Sequence, residues 1–166
     1  TQDEVIDYLY SKGISANYNE PMTIDQIKRL GEEKQRVIYN NLIATHNLVS
    51  VCNCHASDLE ISDTDKYTYI MTYSYPCQDC SSAGKRLGME KGSGTRSSLL
   101  WEVERILDEC NGNLPQILLM ENVPEVIGTN NSEHFSQWVA KLDSLGYKSK
   151  WEILNAKDYG VPQNRA

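Results

Sequence analysis

Between residues 66 and 75 the side chains alternate. Tyr67, Tyr69, Met71, Tyr73 and Tyr75 fall on one face, and Thr68, Ile70, Thr72 and Ser74 fall on the other. A period of two in residues that favour pleated backbone predicts a β-strand. Pro76 has no amide hydrogen to give the next ladder bond and predicts its end. Over 95–110 the period becomes helical, with Leu99, Leu100, Val103, Ile106 and Leu107 in a stripe before Gly112 and Pro115 break it. An apolar run at 116–120 predicts a second strand ending at Glu121. Ser132 is expected to cap another amphipathic helix, striped by Phe135, Trp138, Val139, Leu142 and Leu145 and closed by Gly146, and 147–154 is predicted as a further strand.

The amino-terminal portion is less regular. Residues 3–11 and 23–46 are expected to be helical, the latter capped by Thr23, and a short strand is expected at 48–52. There is no internal repeat and no low-complexity tract. Strand, helix, strand, helix, strand is the order of a doubly wound α/β sheet, mostly parallel and flanked by helices, whose ligands gather beyond the carboxyl ends of the strands. Cys77 and Glu121 both fall at such ends, so the pattern directs them toward one pocket. At 166 residues the chain is read as one domain, 1–166, with a mainly helical segment at 1–47 and an α/β segment at 48–166.

Charge and cysteine usage narrow the chemistry. A net charge of −7 and a pI near 5.0 exclude a generally basic surface, so a nucleic-acid partner must be met by a local patch. Such a patch lies between Gln78 and Trp101, where Lys85, Arg86, Lys91 and Arg96 face only Asp79 and Glu90; the alternative is a solvated loop. Five cysteines and the lack of a long apolar run imply free thiols, an intracellular setting and no membrane partner. A thiol delivered by a strand end is held from behind and open in front, as a nucleophile requires, whereas an isolated cysteine is more often inert and half-buried. Cys52, Cys54, Cys77 and Cys80, with His55 beside the first pair, offer a structural zinc site as an alternative. The one-residue gap between Cys52 and Cys54 is tighter than usual, and a ligating Cys77 is no longer a free nucleophile.

Four words occur in a fixed order: Ser74-Tyr75-Pro76-Cys77-Gln78-Asp79, Gly94-Thr95-Arg96, Glu121-Asn122-Val123 and Asn155-Ala156-Lys157-Asp158-Tyr159-Gly160-Val161-Pro162-Gln163-Asn164-Arg165. Together they resemble the DNA (cytosine-5) methyltransferases, over about 58–165. The resemblance implies a partial Rossmann-like methyltransferase domain, S-adenosylmethionine as cofactor and double-stranded DNA as partner. It implies that Cys77 adds to carbon 6 of a flipped cytosine, that Glu121 meets the exocyclic amine and N3, and that Arg165 lies near the base. It further implies that Asp58, Pro76 and Leu99 contact the methyl donor. By the same resemblance Gln78, Ser81, Lys85, Arg86, Lys91 and Arg96 belong to a loop that closes over DNA.

The chain also departs from that family. A glycine-rich Phe-x-Gly-x-Gly turn is expected upstream of Asp58 and is not found there, and no target-recognition region follows Arg165. The expectation is therefore a piece of a larger enzyme, inactive in isolation, that works with the remainder or with a second subunit. Two other readings compete: a homologue that binds DNA or a partner without catalysis, and a zinc-stabilised structural module.

Overall fold

The structure, a computed structural model, describes residues 1–17, 20–76, 99–129 and 131–163. They divide into two units, Thr1–Asp58 and Leu59–Ala166.

The first unit is built from helices α1 (Gln2–Ser11), α2 (Ile24–Lys28) and α3 (Glu32–Ala44). Thr1 and Thr23 each cap a helix through a reciprocal box, with Glu4 and Gln26 as their partners. Each such cap satisfies orphan amides and contributes about 1 kcal/mol. The helix expected over 23–46 is split because Gly31 adopts φ 80, a left-handed value that only glycine takes without cost. Val5, Ile6, Leu9, Ile14, Ile27 and Leu42 form the core. Within it Gln35 is buried, its Nε2 donating to the Ile27 carbonyl at 2.8 Å while its Oε1 accepts from Gln2 Nε2. That amide ties the three helices together.

The strand expected at 48–52 is not formed. Polar side chains take the backbone groups a ladder would need: Asn47 Oδ1 accepts from Val49 N–H at 2.7 Å, and Ser50 caps a 3-10 turn at Val51–Asn53.

In the second unit β1 (Ile70–Tyr73) and β2 (Ile117–Met120) pair in parallel, Ile70 opposite Ile117 and Tyr73 opposite Met120. Parallel neighbours need a crossover, and α4 (Leu100–Glu109) lies within it. After β2 come a 3-10 turn at Pro124–Ile127 and then α5 (Ser132–Ser144). One face of the strand pair, with Met71, Tyr73, Leu118 and Met120, packs on Leu100, Val103 and Leu107 of α4 and on Phe135, Trp138 and Leu142 of α5. Lys141 links the two helices through Asp108 at 2.6 Å. The opposite face, Ile70, Thr72, Ile117 and Leu119, is exposed, with Ile70 and Leu119 at 61%.

Two expectations in this unit need correction. Ser132 is the first residue of α5 rather than its cap; Asn131 holds the cap position, buried, with Nδ2 donating to the Glu125 carbonyl at 3.0 Å. Residues 147–154 run as irregular chain with no ladder to β1 or β2, and Trp151 instead sets its ring edge-on to Phe135 at 5.3 Å. A strand needs a partner for its amides, and no described strand offers one there. Gly146 does close α5, at φ 92, with the Tyr147 amide reaching back to the Leu142 carbonyl at 3.0 Å. Among the described residues no helix is long and apolar enough to cross a membrane.

Candidate active site at the strand ends

Parallel pairing in this register sends both strands out of the sheet at the same edge, so the residues that follow β1 and β2 emerge side by side. The Glu121 amide donates to the Tyr73 carbonyl at 3.2 Å, carrying the ladder one step past β2. Beyond that step side chains take over. Ser74 Oγ donates to Glu121 Oε2 at 3.3 Å, and Asn122 Nδ2 donates to the Tyr75 carbonyl at 3.0 Å. Asn122 Oδ1 accepts from the Val123 amide at 2.9 Å, which turns the chain into Pro124–Ile127.

Tyr75 anchors the other side of this arrangement. Its side chain is buried in the core shared by α4 and α5, so the exposed Pro76 that follows is held from below. Tyr73, two residues earlier, is locked as well: Trp138 Nε1 donates to its hydroxyl at 3.2 Å, with the rings edge-to-face at 6.1 Å. Burial pushes the Tyr73 phenol up to about 12, against the opposing hydrogen bond from Trp138.

The expected site residues fare unequally. Glu121 is exposed at the strand end, with its carboxylate bonded to Ser74 and its neighbour Asn122 bonded to the backbone just before Pro76. Cys77, Gln78, Ser81, Lys85, Arg86, Lys91, Arg96 and Arg165 lie outside the described residues. Leu99 occupies the cap position of α4, half-buried, without a side-chain capping bond. Asp58 belongs to the first unit, where its Oδ2 accepts from the His55 amide at 2.8 Å as part of a 3-10 turn. The segment leading toward Arg165 is described as far as Gln163. It forms a turn at Ala156–Tyr159, capped by Asn155 and ended by Gly160 at φ 80.

Of the three residues expected to contact the methyl donor, Pro76 and Leu99 are apolar and belong to the second unit, whereas Asp58 is polar and belongs to the first. Apolar side chains suit an aromatic ring and offer no hydrogen bond to a sugar or an amino-acid moiety. A cavity of about 830 Å³ also lies wholly in the first unit, lined by residues such as Ile14, Met22, Leu30 and Leu42, and none of the candidate residues lines it. Among the described residues no group of three or more His, Cys, Asp or Glu is placed to hold a metal. Cys52 is exposed and Cys110 is buried, while Cys77 and Cys80 lie outside the described residues.

Ser74 and Asn122 were not read from sequence as site residues. An asparagine after a strand-end glutamate signals a turn, but its reach to a carbonyl 47 residues away is set by sheet register alone.

Comparison with known proteins agrees with the motif order. The sequence model of the C-5 cytosine-specific DNA methylases matches residues 32–166. The chain is 41% identical to the orphan methyltransferase M.SssI of Spiroplasma monobiae, over 99% of this chain and 42% of that protein. It is 38% identical to the Type II methyltransferase M2.ScrFI of Lactococcus lactis subsp. cremoris, over 99% of this chain and 43% of the relative. With the Type II methyltransferase M.NlaX of Neisseria lactamica the identity is 34%, over 74% of this chain and 36% of the other. The chain thus spans less than half the length of these relatives. By motif order, by the parallel strand ends that gather Ser74, Glu121 and Asn122, and by a family match covering most of its length, the chain belongs to the C-5 cytosine-specific DNA methylase family.

Proposed function

We propose that this chain carries the base-attacking part of a DNA (cytosine-5) methyltransferase, within a doubly wound catalytic domain completed by further polypeptide. The observation that carries the reading is the pair of side-chain ties between the strand ends, Ser74 to Glu121 and Asn122 to Tyr75. Cys77 follows Tyr75 by two residues in the sequence, and the Glu121 carboxylate is tied to Ser74, three residues before it.

On this reading the Cys77 thiolate forms a bond to carbon 6 of a cytosine swung out of the duplex, and the carbon 5–carbon 6 π pair becomes an enamine. Glu121 accepts from the exocyclic amine and shares a proton with N3, which meets the negative charge that accumulates there as sulfur adds. Members of the family take the methyl group for carbon 5 from S-adenosylmethionine. Loss of the carbon-5 proton then returns the electron pair to the ring and expels the thiolate. Arg165 is assigned to the neighbourhood of the base and its phosphate. Gln78, Ser81, Lys85, Arg86, Lys91 and Arg96 are assigned to the DNA backbone, which allows an acidic protein to hold a polyanion locally. Asp58, Pro76 and Leu99 are assigned to the methyl donor, with Asp58 serving the adenine amine.

The test is covalent trapping by the protein at its full natural length, using a duplex that carries 5-fluorocytosine. The expected outcome is a denaturation-resistant adduct that Cys77→Ala abolishes, with methyl transfer lowered by at least about 1,000-fold. Duplex binding without any adduct supports the non-catalytic reading. Stoichiometric zinc lost in Cys77→Ala supports the structural one.

A further inference from the structure

We infer that Ser74 is a positioning residue for Glu121, a donor that sets which carboxylate oxygen faces the incoming base. The inference rests on the role of Glu121 proposed above.

Backbone geometry brings the two side chains together. Tyr73 stands opposite Met120 in the register, and the Glu121 amide donates to the Tyr73 carbonyl, so Ser74 and Glu121 leave the sheet as neighbours. Strand alternation puts Ser74 on the exposed face with Ile70 and Thr72, the side on which Glu121 also reaches solvent. Ser74 Oγ then donates to Glu121 Oε2 at 3.3 Å.

A glutamate side chain has three rotatable bonds, and at this exposed strand end the Ser74 hydroxyl is the side-chain donor on its carboxylate among the described residues. One donor on Oε2 selects among its rotamers and leaves Oε1 to accept from an exocyclic amine. In water the preference is modest, because the hydroxyl and the carboxylate exchange partners with solvent. A base seated over the carboxylate excludes water, and the same bond strengthens in the drier surroundings. The chemistry needs this constraint, since one carboxyl group must meet two adjacent positions of a planar ring at once. Asn122 complements it by fixing the Tyr75 carbonyl, so each strand end restrains the other.

The experiment uses the full-length protein and the 5-fluorocytosine duplex under single turnover. Ser74→Ala is expected to slow adduct formation about tenfold, the worth of one hydrogen bond to a charged group, with duplex affinity changed by less than about twofold. Ser74→Thr, which keeps the hydroxyl, is expected to restore the rate to within about threefold of the unsubstituted protein. In a Glu121→Ala background the serine substitution is expected to have no further effect, because the two residues act as one unit. An unaltered rate in Ser74→Ala, or an equal slowing when Glu121 is already absent, overturns the role of Ser74 alone. No adduct in the unsubstituted protein overturns the parent reading and this one with it.

Discussion

Tyr73 shows how much a single position beneath the strand ends contributes. Its ring packs in the core, its hydroxyl accepts from Trp138, and its carbonyl accepts from Glu121. Burial holds the phenol protonated up to about 12, against an ordinary value of 10.0. Between those values the unfolded chain loses a proton that the folded chain keeps. Stability is therefore fully present below pH 10 and falls as pH rises toward 12. The loss at the upper end is on the order of 2 kcal/mol. Thermal melts of the wild type and of Tyr73→Phe, followed from pH 9 upward, are expected to converge as the wild type weakens. Parallel alkaline curves for the two proteins count against this assignment. At this scale the sequence placed Tyr73 on one face with Met71 and Tyr75, by the alternation over 66–75, and left open which face turns inward. It did not reveal that Trp138, 65 residues later, meets the hydroxyl.

Among the elements, α4 holds the strand pair in place. Its stripe was legible as a helical period, and Leu100, Val103, Ile106 and Leu107 are all buried. Leu107→Ala removes a side chain that is 1% exposed and leaves a cavity between α4 and the rest of the core. The expected cost is about 3 kcal/mol, read by denaturant titration. Val37→Ala on α3, at a position 53% exposed, is expected to change stability by less than about 0.5 kcal/mol. Comparable losses at both positions contradict the packing described. Elements whose signal is carried by side-chain period were thus readable. The strands expected at 48–52 and 147–154 failed because short apolar runs do not show whether a partner strand exists or whether neighbouring polar side chains have already claimed the backbone.

For the molecule as a whole, the two faces of the strand pair are unequal. Parallel sheets in folded proteins are covered on both sides, yet here Ile70, Ile117 and Leu119 form an exposed apolar face opposite the one packed by α4 and α5. The 166-residue chain is expected to self-associate through this face in sedimentation experiments. Ile70→Thr with Leu119→Thr is expected to reduce that association while changing folding stability by less than about 1 kcal/mol. Unchanged association in the double variant rules out this face as the contact. The exposed face fits a chain that spans 42% of one relative and 43% of another. In the doubly wound arrangement proposed above, further helices would cover this face while further strands pair at the sheet edges.

Sequence alone determined the local grammar and the chemical identity: a strand by its alternation, helices by their stripes, and a family by the order of its Pro-Cys-Gln, Glu-Asn-Val and Gln-Asn-Arg words. Each of these is written in neighbouring residues, where backbone geometry fixes the period. The tertiary structure decided which distant residues meet. Ser74 and Glu121 are 47 positions apart and so are Tyr75 and Asn122; they touch because a crossover containing α4 sets the parallel register of β1 and β2. Register follows from how side chains pack between layers, and no local stretch of the chain records it.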